Sequence, residues 1–254
     1  MDKRMSLPKQ TERSGHHRHT TYYDRIADRW EAISGDQGGA FRRFVLNDRL
    51  LSQIGDIGGL RVLELGAGNG NLMRLVSRRQ SGRPARVVIT DVSRRLLAIA
   101  QRKRRVSRAE YRALDVSHEF PFADEDFDIV VAVMLLNELR DDVLERALLE
   151  SHRVLRPEGR MVGAVLHPRF VASLGRRGQL RRGRFVTMPT SGGLRVPVVQ
   201  RSVDSYCALF EGAGFQTTFS DVSATPEVLR RKPGLANAGA LPIAMLFEGI
   251  RRPR

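Results

Sequence analysis

Residues 63–71 read LELGAGNGN, with Glu64 two places ahead of three alternating glycines, Gly66, Gly68 and Gly70. Glycine loses more backbone freedom on folding than any other residue. Three in so short a stretch therefore mark a sharp turn, or a place where a ligand comes close to the main chain. A turn that cradles a pyrophosphate follows the spacing G-x-G-x-x-G. Here the spacing is G-x-G-x-G, and the carboxylate before it suits a cationic group better than a diphosphate. Two further acids continue the pattern. Asp91 ends the apolar run ARVVITD, and Asp115 ends AEYRALD. A carboxylate after the second strand of an α/β sheet can accept hydrogen bonds from both hydroxyls of a ribose. One after the third strand can accept from an exocyclic amine. Together the acids describe a ligand with a cationic end, a ribose and an amino-bearing base.

Alternating elements must hold these residues. Short apolar runs (LRVLELG, ARVVITD, AEYRALD, FDIVVAVMLL and GRMVGAVLH) are separated by helical patterns such as VSRRLLAIAQRKRR and RDDVLERALLESHRVL. Near-continuous apolar strands alternating with helices predict a parallel sheet covered on both faces. The expected fold class is α/β. Residues 1–20 are polar and basic and are expected to form a disordered tail ahead of a single domain, 21–254. Within it, 21–57 form a helical cap in which Tyr23, Ile26, Ala27 and Trp30 share one face of the first helix. After His167 the rhythm breaks. Residues 168–201 are rich in Arg, Gly and Pro, with two extended runs around SGG that read as a hairpin. This insertion is expected to serve as a lid or substrate wall. ALPIAMLFEGIRR supplies the last strand.

Composition narrows the partners. The 254 residues carry a net charge of +15, almost all the excess being arginine, and the isoelectric point is near 11.2. The stretches 94–108 and 167–184 hold no acidic residue. Such a surface favours anionic partners: a carboxylate or phosphate substrate, a nucleic acid or an acidic protein. No apolar run approaches the roughly 20 residues of a membrane span, and the polar N-terminus does not read as a secretory signal. The single cysteine, Cys207, excludes an intramolecular disulfide framework and a cysteine metal site. It is expected to be a buried or half-buried helix residue of a cytoplasmic protein. No metal site is expected.

VLELGAGNGNL, ITDVS, ALDVSHEFPFADEDFDIVVAVMLLNEL and ESHRVLRPEGRMVGAVLHP resemble the class I S-adenosylmethionine-dependent methyltransferases, in particular the small-molecule type 11/25 group. The resemblance runs motif by motif over residues 60–167. It implies a Rossmann-like, seven-stranded, mostly parallel sheet with its last strand antiparallel, and S-adenosylmethionine as cofactor. By position it implies that Gly66, Ala67, Gly68 and Gly70 form the turn under the methionine part. Glu64 would lie near the methionine amino group, Asp91 and Val92 at the ribose, and Asp115 and Val116 at the adenine. Val133 and Met134 would flank the cofactor after the fourth strand, and Tyr23, in YDRIA, would close over it. Glu158 departs from the family, which places a second glycine there.

The acceptor is less sharply written. His167, ending the fifth strand ahead of the insertion, is the candidate general base. Asn137 and Glu138, after the fourth strand, are candidate substrate contacts. Arg169, with Arg176, Arg177, Arg181, Arg182 and Arg184, could hold a substrate carboxylate or phosphate bidentately. His118 and His152 read as structural. The leading reading is methyl transfer to O, N or C of a small, anionic metabolite of secondary metabolism. A second is an RNA or protein methyltransferase, drawn from the charge. A third is a cofactor-binding partner protein that transfers nothing.

Overall fold

Alternation along each strand decides which side chains meet the helices. On β1 (Arg61–Leu65), Val62 packs into one core while Leu63 and Leu65 pack into the other. On β4 (Phe127–Val133), Ile129 and Val131 join Val62, whereas Val130 and Ala132 join Leu63. The sheet is thus buried on both faces, as its continuous apolar strands require. The computed structural model describes residues 15–103, 106–173, 183, 185–190, 193–224, 226, 230 and 241–252.

The other strands are β2 (Arg86–Asp91), β3 (Ala109–Ala113), β5 (Leu155–Leu166), β6 (Phe185–Pro189), β7 (Arg195–Val199), β8 (Phe215–Val222) and β9 (Ala244–Arg251). Seven of them form one sheet in the order β3-β2-β1-β4-β5-β9-β8. β9 pairs antiparallel with both β5 and β8, and the remaining pairings are parallel. The expected Rossmann-like seven-stranded sheet is therefore present. Its order reverses between β1 and β4, and ligands of open α/β sheets sit outside the strand ends at such a point.

The helices are α1 (Gly15–Ser34), α2 (Gly39–Phe41), α3 (Asn47–Ile54), α4 (Asn71–Ser77), α5 (Arg94–Arg102), α6 (Asp141–Val154), α7 (Pro168–Ser173) and α8 (Val203–Gly212). α3 and α4 cover one face of the sheet, and α6 and α8 the other. A π-helical turn, Arg42–Leu46, joins α2 to α3. α1 starts six residues before the expected cap, inside the stretch 1–20 read as a disordered tail. Its polar first residues cost at most about 0.7 kcal/mol each in helix propensity, and the packed turns that follow carry them. Residues 1–14 lie outside the described residues.

Tyr23, Ile26, Ala27 and Trp30 do share a face, packed on Leu96 and Ile99 of α5 or buried nearby. The insertion folds as α7 and a β6–β7 hairpin in its own two-stranded sheet. Cys207 lies on α8 as expected but is exposed rather than buried. The apolar face of α8 is supplied by Tyr206 and Phe210, and Cys207 follows Tyr206 round to the solvent side. Among the described residues no helix is long and apolar enough to cross a membrane, and no group of three or more His, Cys, Asp or Glu could hold a metal ion.

Candidate active site

The chain leaves β1 through a turn in which Gly66, Gly68 and Gly70 have φ of 67°, 57° and 70°. Side-chain-bearing residues pay about 1–2 kcal/mol for that left-handed conformation, which accounts for the alternating glycines. Between them, Asn69 is fully buried and donates to Glu31 Oε2 (2.5 Å) and to the Gly35 carbonyl (2.8 Å). Asn71 donates to Asn69 Oδ1 at 2.9 Å. The asparagines thus lash the turn to the end of α1. The middle of α1 is tied by Asp24. Its Oδ1 accepts from Ser93 Oγ (2.6 Å) and from the Arg95 amide (3.1 Å) at the start of α5. Held at its middle and its C-terminal end, α1 presents Tyr23 and Trp30 to the cavity at the strand ends.

Below α1 is a cavity of about 680 Å³. Gly66, Ala67, Gly68, Asp91, Val92, Asp115, Val116, Val133 and Met134 all line it, as does Tyr23. Asp91 Oδ2 accepts from the Gly68 amide (2.7 Å) and Oδ1 from the Ser93 amide (2.8 Å). Burial, opposed by those amides, pushes its pKa up to about 6. Asp115 Oδ1 accepts from the Ser117 amide (3.0 Å) and hydroxyl (2.7 Å), and its Oδ2 stands 3.7 Å from His118 Nδ1. Met134 takes a φ of 60° at the end of β4. Its amide still reaches the Ala164 carbonyl at 2.8 Å. A methionine held in the left-handed region is strained, and such strain collects at functional sites.

Two of the expected cofactor residues stand behind this wall. Gly70 ends the turn as the N-cap of α4, where an added Cβ would meet Ala100 Cβ at 2.9 Å. Its role is close packing of α4 on α5. Glu64 shares the strand face of Val62 and is buried under the turn, 3% exposed, with Oε2 unpartnered. Burial raises its pKa to about 7, against the pull of Arg42 and Arg74. Arg42, in the π-helical turn, lines the cavity with a buried, unpartnered Nη2, and burial pulls it down to about 10. An orphaned carboxylate oxygen and an orphaned guanidinium nitrogen beside one glycine turn match the ammonium and carboxylate of an α-amino acid. Arg42 is not singled out by the sequence, where it is one of several arginines in the helical cap 21–57.

The acceptor side departs further from expectation. His167 does not reach the cavity. It is buried, its Nδ1 accepts from the Arg169 amide (3.1 Å), and its Nε2 faces Asp221 Oδ1 at 3.3 Å. It caps the N-terminus of α7, with Pro168 as the first helical residue, a usual pairing. Burial lowers its pKa. The preceding residue, Leu166, takes the cavity-facing position. Arg169 is exposed and outside the cavity wall. Arg176, Arg177, Arg181, Arg182 and Arg184 lie outside the described residues. Asn137 lines the cavity, but its Oδ1 accepts from the Leu166 amide at 3.3 Å, so it splices β4 to β5. Glu138 lines the cavity and accepts from Tyr23 Oη on Oε2 at 2.6 Å. His152 packs edge-on against Phe215, a structural place, as expected.

The rest of this side is mostly apolar, with Ser173 and Thr190 as its polar members among the described residues. Phe41, Leu139, Val143, Leu166, Phe170, Met188 and Val196 contribute, the last four from β5 and the insertion. The insertion is anchored on three sides. The Val199 amide donates to the Asn137 carbonyl at 2.7 Å, Tyr22 Oη donates to the Arg195 carbonyl, and buried Arg201 holds Asp141 Oδ1 at 2.6 Å. β6 and β7 thus form a hairpin whose Met188 and Val196 line the cavity.

Comparison with known proteins agrees with this fold. Residues 62–159 match a family model described as a methyltransferase domain. A ubiquinone/menaquinone biosynthesis C-methyltransferase, UbiE, of Desulfotalea psychrophila is 29% identical over 208 residues, 76% of this chain and 80% of that one. A demethylmenaquinone methyltransferase of Thermus thermophilus is 38% identical over 103 residues, 40% of this chain and 45% of that one. An S-adenosylmethionine dependent methyltransferase from Mesorhizobium loti superposes with a TM-score of 0.65 at 20% identity, covering 85% of this chain and all of that one. Residues 62–159 are thus a methyltransferase domain, set in a fold shared with S-adenosylmethionine-dependent methyltransferases, and the cofactor is S-adenosylmethionine.

Proposed function

We propose that the protein methylates a small, apolar, ring-bearing acceptor. The observation that carries this is the division of one cavity into a polar half at the strand ends and an apolar half roofed by the insertion. The bound cofactor supplies an electrophilic methyl group on a cationic sulfonium. The chain's own residues do the rest. Asp91 and Asp115 hold the ribose and the base. Arg42 faces the amino-acid end, with the Glu64 carboxylate behind the turn supplying its charge from below. The apolar wall excludes water and orients the acceptor for in-line displacement, where positioning is the main lever.

The names of the relatives, which refer to quinone biosynthesis and C-methylation, support a ring as the acceptor. A carboxylate or phosphate acceptor finds less support. Among the described residues, Arg42 is the one cation lining the cavity, and it is drawn to Glu64. An anionic group would have to rely on the arginines of 176–184. A role in secondary metabolism is carried by composition alone, and a cytoplasmic setting by the unpaired cysteine. A cavity of about 680 Å³ with a mostly apolar acceptor side favours a metabolite over RNA or protein.

Calorimetric titration with S-adenosylhomocysteine tests the polar half. Micromolar binding that collapses in Asp91→Ala supports the assignment. Absence of binding by the wild type overturns it, as does equal binding by the variant.

A further inference from the structure

We propose that Glu138 is the proton acceptor of the transfer, held in place by Tyr23, and that the acceptor molecule is an apolar hydroxy-ring compound of the phenol class. This rests on the methyl-transfer reading above. Three carboxylates line the cavity among the described residues. Asp91 is spent on the Gly68 and Ser93 amides, and Asp115 on Ser117 and His118. On Glu138, Oε2 takes the Tyr23 hydroxyl at 2.6 Å, and Oε1 has no hydrogen bond among the described residues. His167, the other candidate base, is turned into the α7 cap.

The loop that carries Glu138 is fixed rather than slack. Arg201 donates to the Leu136 carbonyl at 3.1 Å and to the Leu139 carbonyl, and Asn137 is pinned from both sides. Leu135, Leu139 and Val143 line the cavity around it, so the carboxylate sits in an apolar setting beside the acceptor wall. The charged and titratable groups facing it are Tyr22 and Tyr23 from α1 and Asp91 from the end of β2. Burial raises Glu138 to about 8, Asp91 adds to the rise, and the Tyr23 hydrogen bond opposes it. A base matched to neutral or mildly alkaline pH results.

The step balances as follows. The acceptor's O–H proton passes to Glu138. The electron pair left on the acceptor forms the bond to the methyl carbon, either from oxygen or from a ring carbon, whose own C–H proton is then lost as the carbonyl oxygen regains one and the ring becomes aromatic again. The carbon–sulfur pair returns to sulfur, cancelling the sulfonium charge. Glu138 ends protonated and loses the proton to solvent when product leaves.

The test needs no turnover. The full chain, saturated with S-adenosylhomocysteine, is titrated with 2-naphthol and with its methyl ether, 2-methoxynaphthalene, at pH 6.5 and 8.5. The expected result is a naphthol preference of about ten-fold or more at pH 8.5 that shrinks at pH 6.5, where Glu138 is protonated. Glu138→Gln keeps the Tyr23 contact and a hydrogen-bond acceptor but takes up no proton, so its preference should not change with pH. Tyr23→Phe, which removes a bond to the charged form, should move the pH dependence upward. A wild type with no naphthol preference, or a pH dependence that survives in Glu138→Gln, overturns the proposal. If the wild type fails to bind S-adenosylhomocysteine, the underlying methyl-transfer reading fails first and the proposal with it.

Discussion

The two halves of the cavity are built by different means. The polar half is made of strand ends and the turns that follow them, its side chains fixed by backbone amides of those turns: Asp91 by Ser93 two residues on and by Gly68 in the neighbouring turn after β1, Asp115 by Ser117 two residues on. The apolar half is assembled from segments far apart in sequence. Tyr23 meets Glu138 across 115 residues, and Tyr22 meets Arg195 across 173. Local construction gives a site whose chemistry hardly depends on the rest of the chain. Long-range construction gives one whose specificity changes with any insertion. This is the usual division between a shared scaffold and loops that carry individual function.

The comparison is broken most directly at Asp91. Removing its carboxylate deletes the group assigned to the ribose, and charge-assisted hydrogen bonds of this kind contribute about 1.5–3 kcal/mol. The expected loss of S-adenosylhomocysteine affinity is therefore at least about ten-fold. Asp91→Asn separates folding from binding, because an amide oxygen still accepts one of the two neighbouring N–H groups. A variant that folds and binds as well as wild type would place the ribose elsewhere.

The polar half of the site was legible because its signals are local. Glycines at positive φ, an acid before them and an acid at each strand end survive as short strings. Even so, Glu64 and Gly70 serve from behind the wall, a distinction of strand face and helix packing that spacing does not encode. The apolar half was legible only as a region. The hairpin could be read from SGG, but not which of its side chains face inward. His167 was misplaced because the end of a strand says nothing of which way the next turn goes. Here Pro168 starts a helix at once and draws the imidazole to its amides. Arg42 was hidden because a π-helical turn shifts helical periodicity by one residue.

A broader effect comes from pH. Asp91, Glu64 and Glu138 sit at about 6, 7 and 8 in the folded protein, all above ordinary carboxylate values. Between the unfolded and folded values the native state binds more protons, so stability must fall as pH rises through that window. The ligand-free protein is expected to melt at a lower temperature at pH 9 than at pH 5.5, with the slope flattened in Glu138→Gln. A melting temperature that rises over this range would show that these carboxylates are not buried as described.

His167→Ala sharpens the contrast from the other side. As a helix cap its loss should cost about 0.5–2 kcal/mol of stability, while S-adenosylhomocysteine affinity stays within about two-fold. A general base would behave in the opposite way, with stability nearly unchanged and turnover lost. Chemical denaturation and a turnover assay on the same preparation distinguish the two. Turnover that is lost at unchanged stability would return His167 to the site.

The smallest expected effect concerns the one clear departure from the family motif. Glu158 stands where a glycine is usual, and it adopts a φ of 60° on the exposed turn inside β5. The turn keeps the glycine geometry without the glycine. The neighbouring Gly159 explains why: an added Cβ there would lie 2.8 Å from the Arg156 carbonyl and 3.2 Å from that of Asp128, so the chain has to pass close to β4 at this point. The backbone path is set by that approach, and Glu158 bears the strain. Relief of a left-handed side chain is worth up to about 1–2 kcal/mol, less the entropy that glycine returns to the unfolded chain, roughly 0.4–1 kcal/mol. Glu158→Gly should therefore raise stability by about 0.5–1 kcal/mol in denaturant melts and leave cofactor affinity untouched. The turn lies at the opposite end of β5 from the cavity, so a change in affinity would mean that strain at one end of the sheet is felt at the other.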